Sequence, residues 1–356
     1  MTYLAFQNLW QQKFRLALSV VGVALAMMLI ILLIGFLAGI YAQVTAYLDN
    51  SPAQLVIAQD GVTNLLSATS ILPAGTEDQV HGVPGIAQVT PIVSQFVIFD
   101  LHDEKVVSYM VGYDPKLGGG PWQMKNGRFP AADDEVVLDW VMAANHDIAL
   151  GETIDILDET FTVVGLSDGT NSWMASFFFV DKKAAERLLL APGATSFVLL
   201  TLEPDADITA VTDRLTRRLR DVEIVSVATM RQNDIDVLVK VFAAPLQLMV
   251  SIAFAVGTAI LGMVIYTATV ERTREYGVLK AVGAKNRHLY GLVTQQGLVT
   301  AVLGSFLGLG LAALAARLIM EYSPKFLIVL DPHSIVIFSL TALFMCGLAA
   351  LFPLRW

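Results

Sequence analysis

The sequence predicts an α-helical membrane protein with four transmembrane helices and a large extracytoplasmic mixed α/β domain inserted between helices 1 and 2. Three observations carry this reading. The 356 residues are 55% hydrophobic with a mean hydropathy of +0.62, too apolar for an ordinary soluble chain. Four apolar runs reach about the ~20 residues that cross a hydrocarbon core. Between the first and second lies a long stretch with no span, and it holds most of the acidity: residues 43–240 carry 28 Asp and Glu against 13 Lys and Arg, a net of −15.

Taken in order, residues 1–15 form a cytoplasmic or interfacial N-terminal helix. In Asn8-Leu-Trp-Gln-Gln-Lys-Phe-Arg15, Trp10 and Phe14 are spaced i, i+4 among cationic neighbours, which suits a membrane interface. Span one covers 16–41. Its apolar run is too long for the core of a signal peptide and shows no small-x-small cleavage site, so it reads as a retained anchor. Residues 42–240 form the extracytoplasmic domain with its stalk, and span two covers 241–270. At ~1.5 Å per residue, span two overshoots a ~30 Å core, so it tilts or continues outside the membrane. A charged segment follows at 271–290, then span three at 291–319, a short outer loop at 320–332, span four at 333–352 and a cytoplasmic end at 353–356.

Charge sets the orientation. The segment 271–290 has five basic residues, Arg272, Arg274, Lys280, Lys285 and Arg287, against Glu271 and Glu275, a net of +3. Lys13 and Arg15 precede span one without an acid, and Arg355 follows span four. Short basic flanks face the cytoplasm, which puts both termini inside and residues 42–240 outside. The acidic balance offers no sign of nucleic-acid binding. The single cysteine, Cys346, lies in span four, so the outer domain is held without disulfides; at about 200 residues it buries enough core to do so. Cys346 reads as packing.

Within the outer domain, Gln54–Ala58 reads as a strand and His81-Gly-Val-Pro-Gly85 as a turn. Residues 88–99 and 105–112 read as an antiparallel pair, and 135–165 as a small all-β unit. Phe177–Val180 leads into a helix at 181–190. Residues 197–202, a helix at 207–220 and 222–227 form a β-α-β unit. That helix has an apolar face of Ile208, Val211, Leu215 and Leu219 and a basic face of Arg214, Arg217, Arg218 and Arg220.

Chemistry is sparse. There is no Gly-rich Lys-Ser/Thr phosphate loop, His-Glu-x-x-His, Cys-x-x-Cys or Gly-x-Ser-x-Gly, so no catalytic residue and no metal ligand is assigned. His146-Asp147 and Asp133-Asp134-Glu135 read as exposed acidic turns. Gly118-Gly-Gly-Pro-Trp122 is an anion cradle, a loop presenting Trp122 to a partner or lipid, or a plain connector. Leu65 and Leu66, in the apolar loop 61–72, are either core or a contact for partner or substrate. Gly35-x-x-x-Gly39 and Gly304-x-x-x-Gly308 are small-residue pairs that permit close helix packing. Gln247, Gln295 and Gln296 face helices or water, and Arg317 with Glu321 forms an interfacial pair.

The segment Glu271-Arg-Thr-Arg-Glu-Tyr-Gly-Val-Leu-Lys-Ala-Val-Gly-Ala284 reads on physical grounds as an amphipathic cytoplasmic helix or as a solvated positive-inside loop. It resembles the E-R-x-x-E-[IY]-G-[VIT]-L-[KR]-A-[LIV]-G-A block of FtsX-like ABC transporter permeases of the MacB and DevC type. The opening around Asn8–Arg15 is similar to theirs. So is the looser series Gly127-Arg-Phe-Pro, Leu150-Gly-Glu-Thr-Ile154 and Phe161-Thr-Val-Val-Gly165, which resembles their periplasmic domains. The resemblance runs from residue 1 to about 355.

It implies a homodimeric, multi-pass permease in a bacterial cytoplasmic (inner) membrane. The chain itself would bind no cofactor. ATP and Mg²⁺ would be used by a separate ABC ATPase subunit docked on Glu271, Arg272, Arg274, Glu275, Tyr276, Gly277, Lys280, Gly283 and Lys285. It further implies a periplasmic adaptor in export members, with lipid, glycolipid, haem, drug or peptide as substrate, or a signalling role acting on a cell-envelope hydrolase or lipoprotein release. Neither the substrate nor the choice between these roles is set by the motifs. Family members continue past span four with a basic tail. This sequence ends at Phe352-Pro-Leu-Arg-Trp356, as a truncated chain or as a variant lacking the tail.

The orientation is testable. In a Cys346→Ser background, a cysteine at Lys285 is expected to resist an impermeant thiol reagent applied to intact cells, and a cysteine at exposed positions of 43–240 is expected to react. Labelling of position 285 from outside would reverse the topology.

Overall fold

The computed structural model describes residues 13–271 apart from 67, 103, 173 and 174, together with 278, 281, 286–330 and 344. The chain divides into two compact units, Ile40–Val241 and the remainder, Met1–Gly39 with Phe242–Trp356. Helix α1, Lys13–Asp49, begins in the second of these and ends in the first. It has no proline or glycine-rich break, and it stops just ahead of Pro52, as a residue before proline resists helical geometry. Asn50 Nδ2 donates to Ala46 O at 2.8 Å and satisfies one of the carbonyls that a helix end leaves open.

The unit Ile40–Val241 is built on one ten-stranded mixed sheet. In chain order its elements are β1 (Leu55–Gln59), α2 (Thr76–Val80), β2 (Ile86–Leu101), β3 (Glu104–Tyr113), β4 (Met124–Gly127), β5 (Glu135–Asp139), α3 (Trp140–Asn145), β6 (Thr153–Ile156), β7 (Glu159–Ser167), β8 (Ser176–Asp181), α4 (Lys182–Leu188), β9 (Phe197–Leu202), α5 (Ile208–Arg218), β10 (Val222–Ser226) and α6 (Val227–Leu238). The strand order is β10-β1-β9-β2-β3-β8-β5-β7-β4, with β6 paired to β7.

The period of two along each strand sorts side chains onto two faces. Val93, Val97, Met110, Phe178 and Val180 meet Met142 of α3 and Ala184 and Ala185 of α4 on one face. Their neighbours Ile92, Tyr109, Val111, Phe177 and Phe179 meet Tyr47 and Leu48 of α1 and Met230 of α6 on the other. A third cluster packs Val211, Leu215 and Leu219 against β1 and β9, three of the four residues of the apolar face read from the sequence of α5; the fourth, Ile208, is exposed.

The expected pair 88–99 and 105–112 is present as the antiparallel hairpin β2–β3. The segment 135–165 differs from the expected all-β unit. Its strands join the common sheet, and α3 interrupts them. The reason is local: Asp139 is a helix N-cap whose carboxylate accepts from Val141 N and Met142 N. The expected β-α-β unit is also split, because β1 lies between β9 and β10 and pairs antiparallel with both.

In the other unit, α7 (Ala244–Glu271) and α8 (Asn286–Tyr322) pack with the first part of α1. Its core is Val23, Met27, Ile30 and Ile31 with Ala253, Ala301 and Ala312. Gly304 and Gly308 lie against α1: a Cβ at Gly304 would come within 2.7 Å of Val23, and one at Gly308 within 2.7 Å of Ala24 O. Gly35 and Gly39 instead face the irregular stretch 327–330, where Val329 N donates to Gly35 O at 3.0 Å. Three described helical stretches are long and apolar enough to cross a membrane: Ala17–Asp49, Val227–Ile260 and Leu298–Tyr322. The expected fourth span, 333–352, lies outside the described residues but for Phe344. Gln247 and Gln295 are exposed, and Arg317 and Glu321 form no ion pair with each other among the described residues.

Asp139 gives the unit Ile40–Val241, named the outer unit after the orientation expected from the sequence, a pH signature. It is fully buried, and burial pushes its carboxyl up to about 6, against opposing hydrogen bonds from Thr170 and from the Met142 and Val141 amides. A folded value above the unfolded value near 3.9 means that the native state holds the proton more tightly. This contribution is full below about pH 4 and lost as pH rises through about 6, a change of roughly 2–3 kcal/mol. Asp139→Asn is expected to flatten the fall in unfolding free energy between pH 4 and 7, measured by denaturant titration; an unaltered slope would remove Asp139 as its source.

Candidate functional site

The sequence places ATPase coupling at 271–290. Glu271 is the last residue of α7, and Arg272, Arg274, Glu275, Tyr276, Gly277, Lys280, Gly283 and Lys285 lie outside the described residues. The site whose geometry is described is the seat of the two helix ends, α1 and α6, in the outer unit.

Tyr47 anchors α1. Its ring stacks on Phe177 at 6.0 Å and 8°, and Trp122 meets it edge-on at 6.1 Å. Its hydroxyl donates to Gly119 O at 2.7 Å. Four residues earlier on the same face, Gln43 Nε2 donates to Asn171 Oδ1 at 3.1 Å. The α1 end is therefore held by an apolar stack with polar ties on either side.

Asp234 anchors α6. Its carboxylate is 1% exposed and accepts from Leu65 N at 3.1 Å and from Leu66 N at 3.2 Å. Asn233 Nδ2 donates to Thr63 O at 2.9 Å, and the Tyr109 hydroxyl donates to Leu65 O at 3.0 Å. The loop 63–66 is thus clamped between α6 and β3. Arg231, one turn before Asp234, reaches Asp49 at the end of α1 at 2.8 Å, which ties the two helix ends directly. After Leu238 the chain takes a π-helical turn, Val239–Ala243, before α7.

The three contact candidates lie in the same unit. Leu65 is 1% exposed and belongs to the core, because its backbone is the ligand of Asp234 and its side chain follows inward. Leu66 and Trp122 are partly buried and pack on the same core, Trp122 within the ring cluster of Tyr47, Phe177 and Phe179. The acidic turns are engaged separately: Arg128 pairs with Glu135 and holds its carboxyl at about 2, while Arg187 bridges Asp133 and Glu159. His146 lies 3.4 Å from Glu104. Among the described residues no group of three His, Cys, Asp or Glu is arranged to hold a metal.

A model of the MacB-like periplasmic core domain matches residues 16–218, and one of the FtsX-like permease C-terminal region matches 247–355. The chain belongs to the FtsX-like, MacB-type ABC transporter permeases. The permease is 22% identical to an uncharacterised ABC transporter permease of Mycobacterium tuberculosis, over 89% of this chain and 87% of that one. It is 20% identical to HrtB of Staphylococcus haemolyticus, a protein assigned to a hemin transport system as its permease, over 85% and 82%. The periplasmic region of MacB from Actinobacillus actinomycetemcomitans superposes with a TM-score of 0.41 at 16% identity, covering 51% of the permease and 92% of that region. Members of the family are membrane permease subunits and are not themselves catalytic.

Sequence reasoning passed over Tyr47, Asp234 and the Asp49–Arg231 pair. Asp234 carried a signal: it sits between Met230 and Leu238 at four-residue spacing, a carboxylate on the buried stripe of a helix. The Asp49–Arg231 pair joins residues 182 apart and has no local signature.

The two ties differ in worth. Removing Asp234 leaves two buried N–H groups without an acceptor, a loss of about 1–3 kcal/mol. Arg231 and Asp49 are solvent-accessible, and an exposed pair contributes about 0–1 kcal/mol. Asp234→Ala is expected to lower the denaturation midpoint of the outer unit well below that of Arg231→Ala. Equal midpoints would mean that Asp234 does not hold the loop.

Proposed function

We propose that this permease couples ATP hydrolysis by a separate ABC ATPase subunit to a conformational change of its extracytoplasmic unit, and so exports a hydrophobic or amphipathic substrate. The observation that supports this most directly is the double seat of the outer unit. The two helices that lead the chain into and out of it are both anchored in its core and tied to each other at Arg231–Asp49. A displacement of either helix is thereby delivered to the whole sheet.

In this reading the permease works as a homodimer in the bacterial inner membrane with both termini cytoplasmic. The block Glu271–Lys285 receives the ATPase, which supplies the bound ATP and Mg²⁺. Its acids and bases pair with the ATPase, and Gly277 and Gly283 allow close approach. A periplasmic adaptor completes the export route. The hemin transport assigned to HrtB supports a planar or amphipathic cargo. A second reading, transmission of force without transport to a cell-envelope hydrolase or to lipoprotein release, draws on the same seat, because it needs only that helix motion reach the outer unit.

The purified permease alone is expected to hydrolyse no ATP, and to stimulate hydrolysis by its ATPase partner. Glu275→Lys is expected to leave expression and dimerisation intact, since exposed changes cost about ±0.5 kcal/mol. It is expected to remove ATPase capture and stimulation, since breaking an interface charge pair costs about 2–5 kcal/mol. Unaltered capture and turnover would reduce the segment to a positive-inside loop.

A further inference from the structure

The β2–β3 hairpin closes between Leu101 and Glu104, which pair with each other. At the turn His102 takes a left-handed backbone conformation, φ +48°. Its ring reaches the turn that follows α3: Nδ1 is 2.7 Å from His146 O, and Nε2 is 3.1 Å from Glu152 Oε1. The receiving side is fixed. His146 ends α3, where its own N–H donates to Met142 O, and Glu152 O accepts from Val163 N of β7 at 2.8 Å. The second Glu152 carboxylate oxygen accepts from Ala149 N at 2.8 Å. A crossed contact runs the other way, from His146 Nδ1 to Glu104 Oε2 at 3.4 Å.

The partners decide the charge of His102. A backbone carbonyl only accepts, and so does a carboxylate. Glu152 is a carboxylate, because the Ala149 amide and then His102 hold its carboxyl below the usual range. Both ring nitrogens therefore face acceptors. A neutral imidazole has one N–H and satisfies one of them, with a lone pair aimed at the other; only the imidazolium makes both bonds. The surrounding groups favour the same state. On the hairpin, Lys105 is engaged with Asp100 at 3.3 Å, and Glu104 faces His146. On the turn, Asp147 and Glu152 are acidic, and Asp155 of β6 accepts from Thr160. Among the described residues, Glu104 and Glu152 pair with no cation but the two imidazoles. The His102 side chain is 54% exposed, so it equilibrates with the solvent outside.

We propose that His102 is a pH-sensitive latch: as an imidazolium it pins the β2–β3 tip to the end of α3 and to Glu152, and on losing its proton it frees the tip. The latch holds in acid and loosens as pH rises, the direction set by a histidine that gains a carboxylate partner on folding. It lies wholly within the unit Ile40–Val241. Its test needs no ATPase, so its failure is separate from failure of the transport reading.

Amide hydrogen exchange of the full chain in detergent reads the latch. Peptides covering 99–105 and 145–152 are followed at about pH 5 and about pH 8, the bounds between which histidine ordinarily changes charge, each corrected for the intrinsic exchange rate. Protection is expected to be about three- to fivefold higher in acid, the worth of one exposed charged pair. His102→Asn, a residue that suits the left-handed turn, is expected to abolish this ratio by lowering the acid value. His102→Arg stays charged throughout and has a donor for each acceptor, so it is expected to keep both segments protected at both pH values. Circular dichroism melts establish that the variants fold, and the wild-type ratio tests the latch even where one does not. A ratio absent from the wild type, or unchanged in either folded variant, would overturn the proposal. So would a ratio lost in His146→Asn but kept in His102→Asn, which places the switch on the Glu104 contact instead.

Discussion

The outer unit depends on seating the end of α1 against β8. Tyr47 stacks on Phe177, and Phe177 stacks on Phe179 at 6.1 Å and 13°, with Trp122 edge-on to both phenylalanines. Aromatic pairs in such geometry add about 0.5–1.5 kcal/mol each beyond the area they bury. The stack therefore does more than fill space. It joins a helix arriving from an apolar run to a strand near the middle of the sheet, and β8 passes the constraint to β3 by parallel pairing and to β5 by antiparallel pairing. A loose α1 end would leave that face of β3 and β8 open to water.

The second seat works by a different force. The Asp234 clamp is polar and buried, and it acts on backbone amides rather than side chains. A carboxylate in that position is costly unless its oxygens are occupied, so the loop 63–66 must be present in this conformation for α6 to lie where it does. This makes the two seats interdependent through β3: Tyr109 of that strand stacks edge-on with Phe177 under α1 and donates to Leu65 in the loop held by α6. The exposed Asp49–Arg231 pair sets orientation on top of these and adds little energy.

How much of this was legible follows from the range of each interaction. The apolar runs behind α1, α7 and α8 and the alternation of β2 and β3 are local patterns, and they read correctly from the sequence. Helix α3 was misread because its apolar residues, Trp140 to Ala143, follow a strand without a gap and only Asp139 marks the change. The place of β1 between β9 and β10 rests on pairings of Leu55 with Leu200 and Ser226, and no feature near Leu55 announces them. The glycine pairs show a related limit. Their spacing signals a close approach, yet Gly304 and Gly308 meet a helix while Gly35 and Gly39 meet a stretch without regular structure, and the pattern is silent on which. Leu65 and Trp122 are apolar loop residues that pack into the core beneath their loops, a packing set by residues distant in the chain.

The chain passes between its units at two points, both inside helical stretches. One falls at Gly39–Ile40 within α1, the other at Val241–Phe242 within the π-helical turn 239–243. A glycine inside a helix costs about 1 kcal/mol against alanine, and a π turn is rare in soluble and membrane helices alike. Neither is needed to end a helix, since both helices continue. Below Gly39 and beyond Ala243 the residues are almost wholly apolar; on the other side the helix ends carry Gln43, Asp49, Arg231 and Asp234, the groups that clamp the outer unit. The polar ties therefore all lie on the sheet side of the two crossing points, where an amide, a guanidinium or a carboxylate reaches Asn171, Asp49 or the backbone of loop 63–66.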